Sequence, residues 1–479
     1  MNIAVIIYTL GRVITIESAF MVLPGLVGLY YHENVWWTYI VIALLGMRAG
    51  ILVSVKKPKN MQFFAKEGFA SVGLAWFLMS LIGAFPLFLT REIPNYIDAV
   101  FEMASGFTTT GATILTDVEA LSHASLFWRS FSHWIGGMGI FVFLLAVMPM
   151  VGGVNMHLLR AESPGPVVGK LVPKMKDSSQ ILYFIYIMLT FLQIVSLKIM
   201  GMTFFEAVCT SYATAGTGGF GIYNSSIADF STAIKWNVTI FMILYGINFN
   251  VYFLILARKF KNIFKMEEVR TYLLVIVVSV LIITLNIFKM YDSFGGALTD
   301  AAFQVASIIT TTGFATCDFN LWPSLAKTIL VILMITGACA GSTGGGLKFS
   351  RVLILIKAVR QEINSFIHPR SVKAVGMDDR TVDKAVVKSV CVYGVLFTLI
   401  YLGSVFIVSI DKYDMVTNFT AVLATMNNVG PGFEVVGATG NYAGFNYLSK
   451  IVFIFDMLAG RLELYPILLL FVPMMWKKH

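Results

Sequence analysis

The sequence predicts an all-α membrane protein with four similar repeats, and three observations support this prediction. Of its 479 residues, 57% are hydrophobic and only 13% are charged, whereas soluble domains carry roughly a quarter charged residues. Apolar runs of spanning length recur along the whole chain. Between these runs lie shorter segments rich in threonine and glycine that repeat one pattern. The composition therefore predicts the fold class, and the repeated segments predict its fourfold pseudo-symmetry.

Ten segments are predicted to be spanning helices, because a helix needs about 20 apolar residues to cross the hydrocarbon core. We place them near residues 3–30, 36–53, 69–90, 124–150, 180–200, 233–257, 271–290, 325–352 (interrupted), 385–410 and 446–473. The first segment has no basic start and no small-residue cleavage site. It is therefore expected to remain as a helix and not to be removed as a signal peptide.

The net charge of +9 is explained by orientation in the membrane. When the N-terminus is placed in the cytoplasm, most lysines and arginines fall in internal loops, where basic residues of membrane proteins concentrate. Both termini are then cytoplasmic, and no nucleic-acid partner is needed to explain the charge. The four cysteines have no paired spacing, so they predict neither a disulfide framework nor a zinc site.

Two 14-residue windows between predicted spans match each other without a gap. DAVFEMASGFTTTG ends at Gly111 and DAAFQVASIITTTG ends at Gly313, and nine positions are identical. Two weaker copies are EAVCTSYATAGTGG, which ends at Gly219, and TNFTAVLATMNNVG, which ends at Gly430. In the second copy, Gly218 is an alternative match to the final glycine. Such internal repetition predicts four units of one supersecondary structure.

Each unit is predicted to contain an outer helix, a short re-entrant helix, an extended Thr/Gly-rich segment and an inner helix. Two additional helices precede the four units. The predicted divisions are residues 1–66 for the additional helices, then 67–176, 177–268, 269–380 (with a broken inner helix) and 381–479 for repeats one to four.

The Thr/Gly-rich segments have the properties of an ion filter. Non-helical backbone at membrane depth is tolerated only when it is buried in protein or lines a wet cavity. Inward-facing carbonyl oxygens can replace the hydration shell of a cation, and glycine permits the backbone dihedrals that this requires. The negative end of each short helix dipole would also favour a cation. Ordinary small-residue helix packing is the alternative, but four equivalent copies favour a filter.

The candidate filter residues are the last residues of each copy and the residue after it. They are Thr109, Thr110, Gly111, Ala112, Gly218, Gly219, Phe220, Thr311, Thr312, Gly313, Phe314, Asn428, Val429, Gly430 and Pro431. The expected ion ligands are Thr110, Gly111, Gly218, Gly219, Thr312, Gly313, Val429 and Gly430.

The third inner helix is interrupted by GACAGSTGGGLKFSR, residues Gly337 to Arg351. Each glycine in a helix interior costs about 1 kcal/mol relative to alanine, so this stretch is not expected to be helical. It is similar to a phosphate-binding loop, but the Gly-Lys-Ser/Thr ending is absent and the stretch lies inside a predicted span. We therefore expect a flexible intramembrane loop below the filter.

Arg461 lies within the final predicted helix, where a charge is costly without a partner. One interpretation is a pair with Asp456 or Glu463; the other is a positive charge that faces the pore beneath the filter. His123 and His133 are expected to be interfacial or packing residues and not proton relays.

These motifs resemble those of the Trk/Ktr/HKT superfamily of potassium transporters, and especially its bacterial TrkH/TrkG-like members. The resemblance covers nearly the whole chain, including the two additional N-terminal helices. The motifs that carry it are TTTGAT (108–113), HWIGGMGI (133–140), TGGFG (217–221), TTTGFAT (310–316) and NNVGPGF (427–433).

The resemblance implies potassium uptake across a bacterial cytoplasmic membrane, through one filter arranged as in potassium channels. Glycine at all four filter positions implies a preference for K⁺, which is the transported ion, with no organic cofactor. A cytoplasmic nucleotide-binding subunit (TrkA-like) and a homodimer are the implied partners. The implied gate comprises Gly337, Gly341, Ser342, Thr343, Gly344, Gly345, Gly346 and Arg461.

Other functional classes make different demands on the sequence. A sodium-permeable relative, or a Na⁺- or H⁺-coupled potassium symporter, remains an alternative within the same superfamily. An intramembrane enzyme would need clustered nucleophiles, acids or metal ligands, and no such spacing appears. A non-conducting scaffold leaves the four Thr/Gly segments unexplained, and a transporter of larger solutes would need a roomier side-chain pocket.

Overall fold

A computed structural model describes residues 1–58, 65–147, 175–368, 374–378 and 380–476. Within these ranges the regular secondary structure is helical apart from one antiparallel pair of two-residue strands, Gly376–Met377 and Arg380–Thr381. Six of the described helices are long and apolar enough to cross a membrane, or seven if one bent pair is counted as a single span. The predicted all-α membrane class is confirmed, whereas the count of ten spans stays a prediction.

The N-terminal helices form a closely packed pair. Helices Ile3–Phe20 and Val22–Tyr30 follow each other directly and form one candidate span. The helix Trp36–Ser54 packs along this span as the second member of the pair. A β-carbon added to Gly11 would lie 2.9 Å from the carbonyl oxygen of Gly50. The two backbones can approach this closely because small residues lie at their crossing, as is common between membrane helices.

Each of the four repeats contains an outer, a short and an inner helix in that order. The outer helices are Ala65–Leu89, Met175–Ile199, Glu267–Ile287 and Lys384–Val408. The short helices are Tyr96–Phe107, Phe204–Ala215, Phe294–Ile309 and Met415–Met426. The inner helices are His123–Val147, Thr232–Gly246 with Asn250–Leu256, Ser324–Thr336 with Phe349–Ile367, and Tyr447–Arg461 with Tyr465–Leu470. The remaining short elements are Phe260–Ile263, Pro473–Trp476 and the 3₁₀ turns Phe288–Met290, Phe319–Leu321 and Glu434–Val436.

The short helices all begin at a polar capping residue. Asn95, Thr203, Ser293 and Asp414 each accept a hydrogen bond from a backbone N–H of the first turn. Such caps satisfy donors that the helix itself leaves free. The hydrogen bond from the Thr417 hydroxyl, outside the spanning segments, lowers the pKa of Asp414. The caps therefore determine where each helix starts and leave its C-terminal end directed at the Thr/Gly-rich segment.

The second inner helix differs from its prediction as one span over 233–257. The chain bends by 95° between Thr232–Gly246 and Asn250–Leu256. The Phe249 N–H donates to the carbonyl oxygen of Gly341 at 3.0 Å, and the Cys339 N–H donates to the carbonyl oxygen of Gly246 at 3.1 Å. The bend occurs because hydrogen bonds to the glycine-rich loop replace bonds that a continuous helix would make.

The fourth inner helix is also broken, although it was predicted as one span over 446–473. Glu463 and Leu464 have φ values of 56° and 66°, and the Leu464 N–H donates back to the Ala459 carbonyl oxygen at 2.7 Å. Helix Tyr465–Leu470 then begins with a proline in its first turn. The Glu463 side chain forms an ion pair with Arg351, which holds the break against helix Phe349–Ile367, the second half of inner helix three.

Candidate functional site

Each short helix ends in the same Schellman turn. In repeat one, the Thr109 N–H donates to the Gly106 carbonyl oxygen at 3.2 Å and the Thr110 N–H donates to the Ser105 carbonyl oxygen at 2.9 Å. The bond equivalent to the second one recurs in the other repeats, from Gly218 to Ala213 at 2.9 Å, from Thr312 to Ser307 at 2.8 Å and from Val429 to Ala424 at 2.8 Å. These turns satisfy carbonyls at the helix end and direct all four segments in the same way.

In three of the four segments the left-handed position of this turn is occupied by threonine, which rarely adopts it, and in the fourth by asparagine. Positive φ values of 54°, 55°, 59° and 55° are found at Thr109, Thr217, Thr311 and Asn428. A β-branched residue with positive φ is a genuine outlier, and such strain costs on the order of 1–3 kcal/mol and clusters at functional sites. The same unusual conformation in every repeat marks these four segments as one site.

A glycine with positive φ follows two residues after each left-handed residue. The four glycines are Gly111, Gly219, Gly313 and Gly430, with φ values of 82°, 75°, 88° and 94°. This pattern makes Gly219, and not Gly218, the equivalent of the other three. The register that the sequence alone left open is therefore given by the backbone conformation.

The four glycines and their neighbours form a closed ring. A β-carbon on any of these glycines would collide with the carbonyl oxygen of the next segment. The contacts run from Gly111 to Gly218, from Gly219 to Thr312, from Gly313 to Val429 and from Gly430 to Thr110. Segment one contacts segment two, two contacts three, three contacts four and four contacts one. All four predicted segments therefore surround a common centre. Glycine is required here on two counts, because it adopts positive φ and lacks the colliding atom.

Side-chain hydroxyl and amide groups stabilise the ring through hydrogen bonds. The hydroxyl oxygens of Thr108 and Thr110 lie 2.7 Å apart, and those of Thr310 and Thr312 also lie 2.7 Å apart. The Asn428 side-chain amide donates to the Thr110 hydroxyl at 2.9 Å and joins segment four to segment one. These bonds stabilise segments one, three and four of the ring.

Three of the four residues that follow the glycines face an open cavity. Ala112, Phe220 and Pro431 line it, together with the four glycines of the ring. Phe314, the fourth residue predicted for this position, instead packs in a hydrophobic cluster with Ala213, Phe303 and other buried side chains. The cavity therefore lies at the end of the ring beyond the glycines.

A buried ion pair that the sequence analysis did not single out supports the segments at this end. Arg129 and Glu102 are 1% and 0% exposed and lie 2.8 Å apart. Glu102 also accepts hydrogen bonds from Thr113 and Ile114, and the Arg129 guanidinium lies 4.0 Å from the ring centre of Phe220. The signal was present in the sequence, since charged residues at membrane depth are costly and are retained for a purpose.

The glycine-rich stretch between Thr336 and Phe349 lies at the opposite end of the ring. The Gly345 N–H donates to the Thr311 hydroxyl at 2.6 Å. A β-carbon on Gly344 would lie 2.9 Å from the Thr310 carbonyl oxygen, and one on Gly345 would lie 2.6 Å from that of Asn427. The loop therefore contacts segments three and four on the side before their glycines. The other predicted gate residues, Gly337, Gly341, Ser342 and Gly346, belong to the same stretch.

Arg461 connects this loop to the first inner helix. Its guanidinium donates to the carbonyl oxygen of Thr343 at 2.8 Å and to that of Gly136 at 2.7 Å. The carboxylates suggested as its partners have other contacts, because Glu463 pairs with Arg351 and Asp456 accepts from the Ser404 hydroxyl. Arg461 thus bridges the loop and inner helix one, and the interpretation that its charge faces the pore stays a prediction.

Glu268, which the sequence analysis did not consider, holds both ends of the same loop. Its side chain is buried, and one carboxylate oxygen accepts from the Ala340 N–H at 2.7 Å and from the Ser350 N–H at 3.1 Å. Nothing in a single acidic residue near a predicted span end signals this role. Only the fold brings the start of outer helix three to the loop.

Glu268→Ala is expected to raise the resting cation leak of the protein in liposomes. The change leaves two buried N–H groups without an acceptor, which costs about 1–3 kcal/mol for each, so the observed loop position loses stability. Glu268→Gln is the control, because the amide keeps an acceptor oxygen at the same place. An Ala variant that is folded and leaks no more than the parent would show that this carboxylate does not hold the loop.

The comparisons with known proteins agree with this architecture. The family described as "TrkH: Cation transport protein" matches residues 33–478. The chain is 35% identical over 476 residues to the "Trk system potassium uptake protein TrkH" of Salmonella typhimurium, with 98% of each chain covered. It is 33% identical to the "Trk system potassium uptake protein TrkG" of Escherichia coli, with 99% of each covered.

A solved structure has the same fold over the full length. The crystal structure of the potassium transporter TrkH from Vibrio parahaemolyticus matches with a TM-score of 0.89 at 31% identity, and 100% of each chain is covered. The predicted resemblance is confirmed, and the chain is a multi-pass membrane transport protein rather than an enzyme. The chain belongs to the TrkH family of cation transport proteins.

Proposed function

We propose that this chain is the potassium-conducting subunit of a Trk-type uptake system in a bacterial cytoplasmic membrane. Its relatives are described as potassium uptake proteins. The observation that carries the proposal is the closed ring in which each filter glycine lies against the carbonyl oxygen of the next segment. Four backbone segments around one centre supply the oxygen-rich surroundings that a dehydrated K⁺ requires.

The proposed architecture has ten spans and four re-entrant helices in the predicted divisions. Inner helices two, three and four each count as one interrupted span. In the proposed filter, K⁺ is bound by backbone oxygens of the two central residues in each segment. These residues are Thr110, Gly111, Gly218, Gly219, Thr312, Gly313, Val429 and Gly430.

The glycine-rich loop is the proposed gate. It contacts filter segments three and four at the end opposite the open cavity, and Arg461 and Glu268 hold it there. With both termini cytoplasmic, helix Phe349–Ile367 leads from the loop toward the cytoplasm. A cytoplasmic nucleotide-binding subunit that moves this helix would therefore move the loop, and the conducting subunit would assemble as a homodimer.

Cation efflux from liposomes that contain the purified protein alone tests this function. Liposomes loaded with K⁺ are compared with liposomes loaded with Na⁺ and with a large organic cation. Potassium-selective efflux supports the filter, and equal Na⁺ and K⁺ efflux contradicts it. If no cation leaves, the measurement is repeated with Arg461→Ala to open the proposed gate.

A Na⁺- or H⁺-coupled potassium symporter is the second candidate within the same family. Coupling predicts that an imposed Na⁺ or pH gradient drives K⁺ accumulation against its own gradient. Passive conduction predicts that K⁺ distributes only according to its gradient and the membrane potential. Measurement of K⁺ accumulation with each gradient imposed at zero membrane potential distinguishes the two.

A further inference from the structure

The second filter segment lacks the side chains that support the first and third. Thr108 and Thr110 support segment one through their paired hydroxyls, and segment three has the same pair. The corresponding positions of segment two are Gly216 and Gly218. Glycine has the largest backbone freedom of any residue, so this segment needs support from another part of the molecule.

His133, on inner helix one, occupies the space that those missing side chains leave. Its side chain is fully buried. A β-carbon on Gly218 would collide with the imidazole ring, and a β-carbon on Gly216 would collide with the backbone carbonyl group of His133. The two glycines and the histidine therefore fit together as one unit, in which the ring replaces the threonine pair of segments one and three.

Two hydrogen bonds determine the tautomer of this histidine. Nδ1 lies 2.8 Å from the carbonyl oxygen of Gly106, near the end of short helix one. Because a carbonyl oxygen can only accept, Nδ1 carries the proton. Nε2 is then an acceptor, and the Phe220 N–H donates to it at 3.2 Å. The neutral imidazole thus connects short helix one to the residue that follows the filter glycine of segment two.

The bond from Phe220 also orients the preceding carbonyl group. The described chain contains no cis peptide bond, and in a trans peptide the N–H and C=O groups point in opposite directions. Since the Phe220 N–H points at His133, the Gly219 carbonyl group points away from it, toward the side where the segments face one another. The Phe220 ring is itself held between His133, at 4.2 Å, and Arg129, at 4.0 Å.

We propose that His133 is a positioning residue that sets the selectivity of the filter by orienting the carbonyl groups of segment two. The proposal rests on the proposed function, because it concerns the same filter. Selectivity depends on the number and arrangement of coordinating carbonyl groups. Segment four has Pro431 at the position of Phe220 and so has no N–H that a side chain could hold there.

The test compares His133→Gln with His133→Leu in liposome flux measurements of K⁺ and Na⁺. Glutamine can donate to Gly106 and accept from Phe220, so its K⁺/Na⁺ flux ratio should stay within about threefold of the parent. Leucine fills similar space but makes neither bond, so the ratio should fall by tenfold or more. His123→Leu is the matched control on the same helix, because its side chain is 43% exposed and it lies ten residues before His133, about 15 Å along the helix.

A buried apolar replacement can unfold a membrane protein, so His133→Asn provides a second comparison. Asparagine keeps the amide but is one methylene shorter than glutamine and cannot span both partners, so it should lose selectivity while the protein stays folded. Folded Leu or Asn variants with the parental K⁺/Na⁺ ratio would overturn the proposal. If the His133 variants keep the parental ratio while Gly111→Ser changes it in the same assay, only the proposal for His133 is wrong. If Gly111→Ser also has no effect, the proposed filter itself is wrong.

Discussion

Gly111→Ser is expected to lower the K⁺/Na⁺ flux ratio by at least tenfold and to admit sodium. The added β-carbon would collide with the Gly218 carbonyl oxygen, so segments one and two must separate or rotate. The serine would also have to adopt a φ near 82°, which costs an L-residue about 1–2 kcal/mol. Flux of each cation from proteoliposomes, with folding checked by size-exclusion chromatography, measures the effect.

Gly201→Ser is a matched control for this prediction. Gly201 has a φ of 105°, but a β-carbon there would meet nothing within 4 Å. Both variants therefore bear the strain of the left-handed conformation, and only Gly111→Ser disturbs a neighbouring carbonyl group. A folded Gly111→Ser protein with the parental flux ratio would contradict the assignment of this glycine to the filter.

Arg461→Ala is expected to raise resting potassium flux by tenfold or more. The change removes a buried positive charge beside the proposed pore and two hydrogen bonds, to Thr343 and Gly136. Hydrogen bonds from charged groups contribute about 1.5–3 kcal/mol each, so the loop should leave its observed position more often. The measurement is K⁺ efflux from liposomes without any activating subunit.

Arg461→Lys separates the two effects of this arginine. Lysine keeps the positive charge, but its ammonium group is a compact point charge that cannot reproduce the planar fork of the guanidinium. If the charge itself impedes K⁺, the Lys variant should remain closed; if the bridge between Thr343 and Gly136 holds the loop, it should leak as the Ala variant does. Resting and activated flux that match the parent in the Ala variant would remove Arg461 from the gate.

The fold class was predictable because its causes are local. The apolar runs and their length determine that the chain is a membrane protein, and the polar caps Asn95, Thr203, Ser293 and Asp414 begin the short helices. Repetition of the Thr/Gly pattern identifies all four segments from the sequence alone. The second segment was ambiguous because Gly218 and Gly219 are identical in sequence, and only their φ values distinguish them.

The interruptions of the inner helices were predictable only where the chain carries its own signal. Glycines between Gly337 and Gly346 disfavour a helix by themselves. In contrast, the 95° bend near Phe249 depends on a hydrogen bond to Gly341, a residue that is distant in sequence. The break at Glu463 likewise accompanies an ion pair with Arg351. Contacts between repeats accompany both breaks, and only the second has a local signal as well, because Pro466 follows it directly and a proline ends or kinks a helix at the preceding residue.

The sequence by itself determined the membrane class, the fourfold repetition and the glycines at the centre of each segment. These features follow from composition, periodicity and the conformational freedom of glycine, which are properties of short stretches of chain. The tertiary structure alone decided which atoms support the segments: Glu268 at the loop, Arg461 between Thr343 and Gly136, and His133 behind Gly218. Each of these side chains acts on a partner far away in sequence, and only the closure of the four repeats around one centre brings them together.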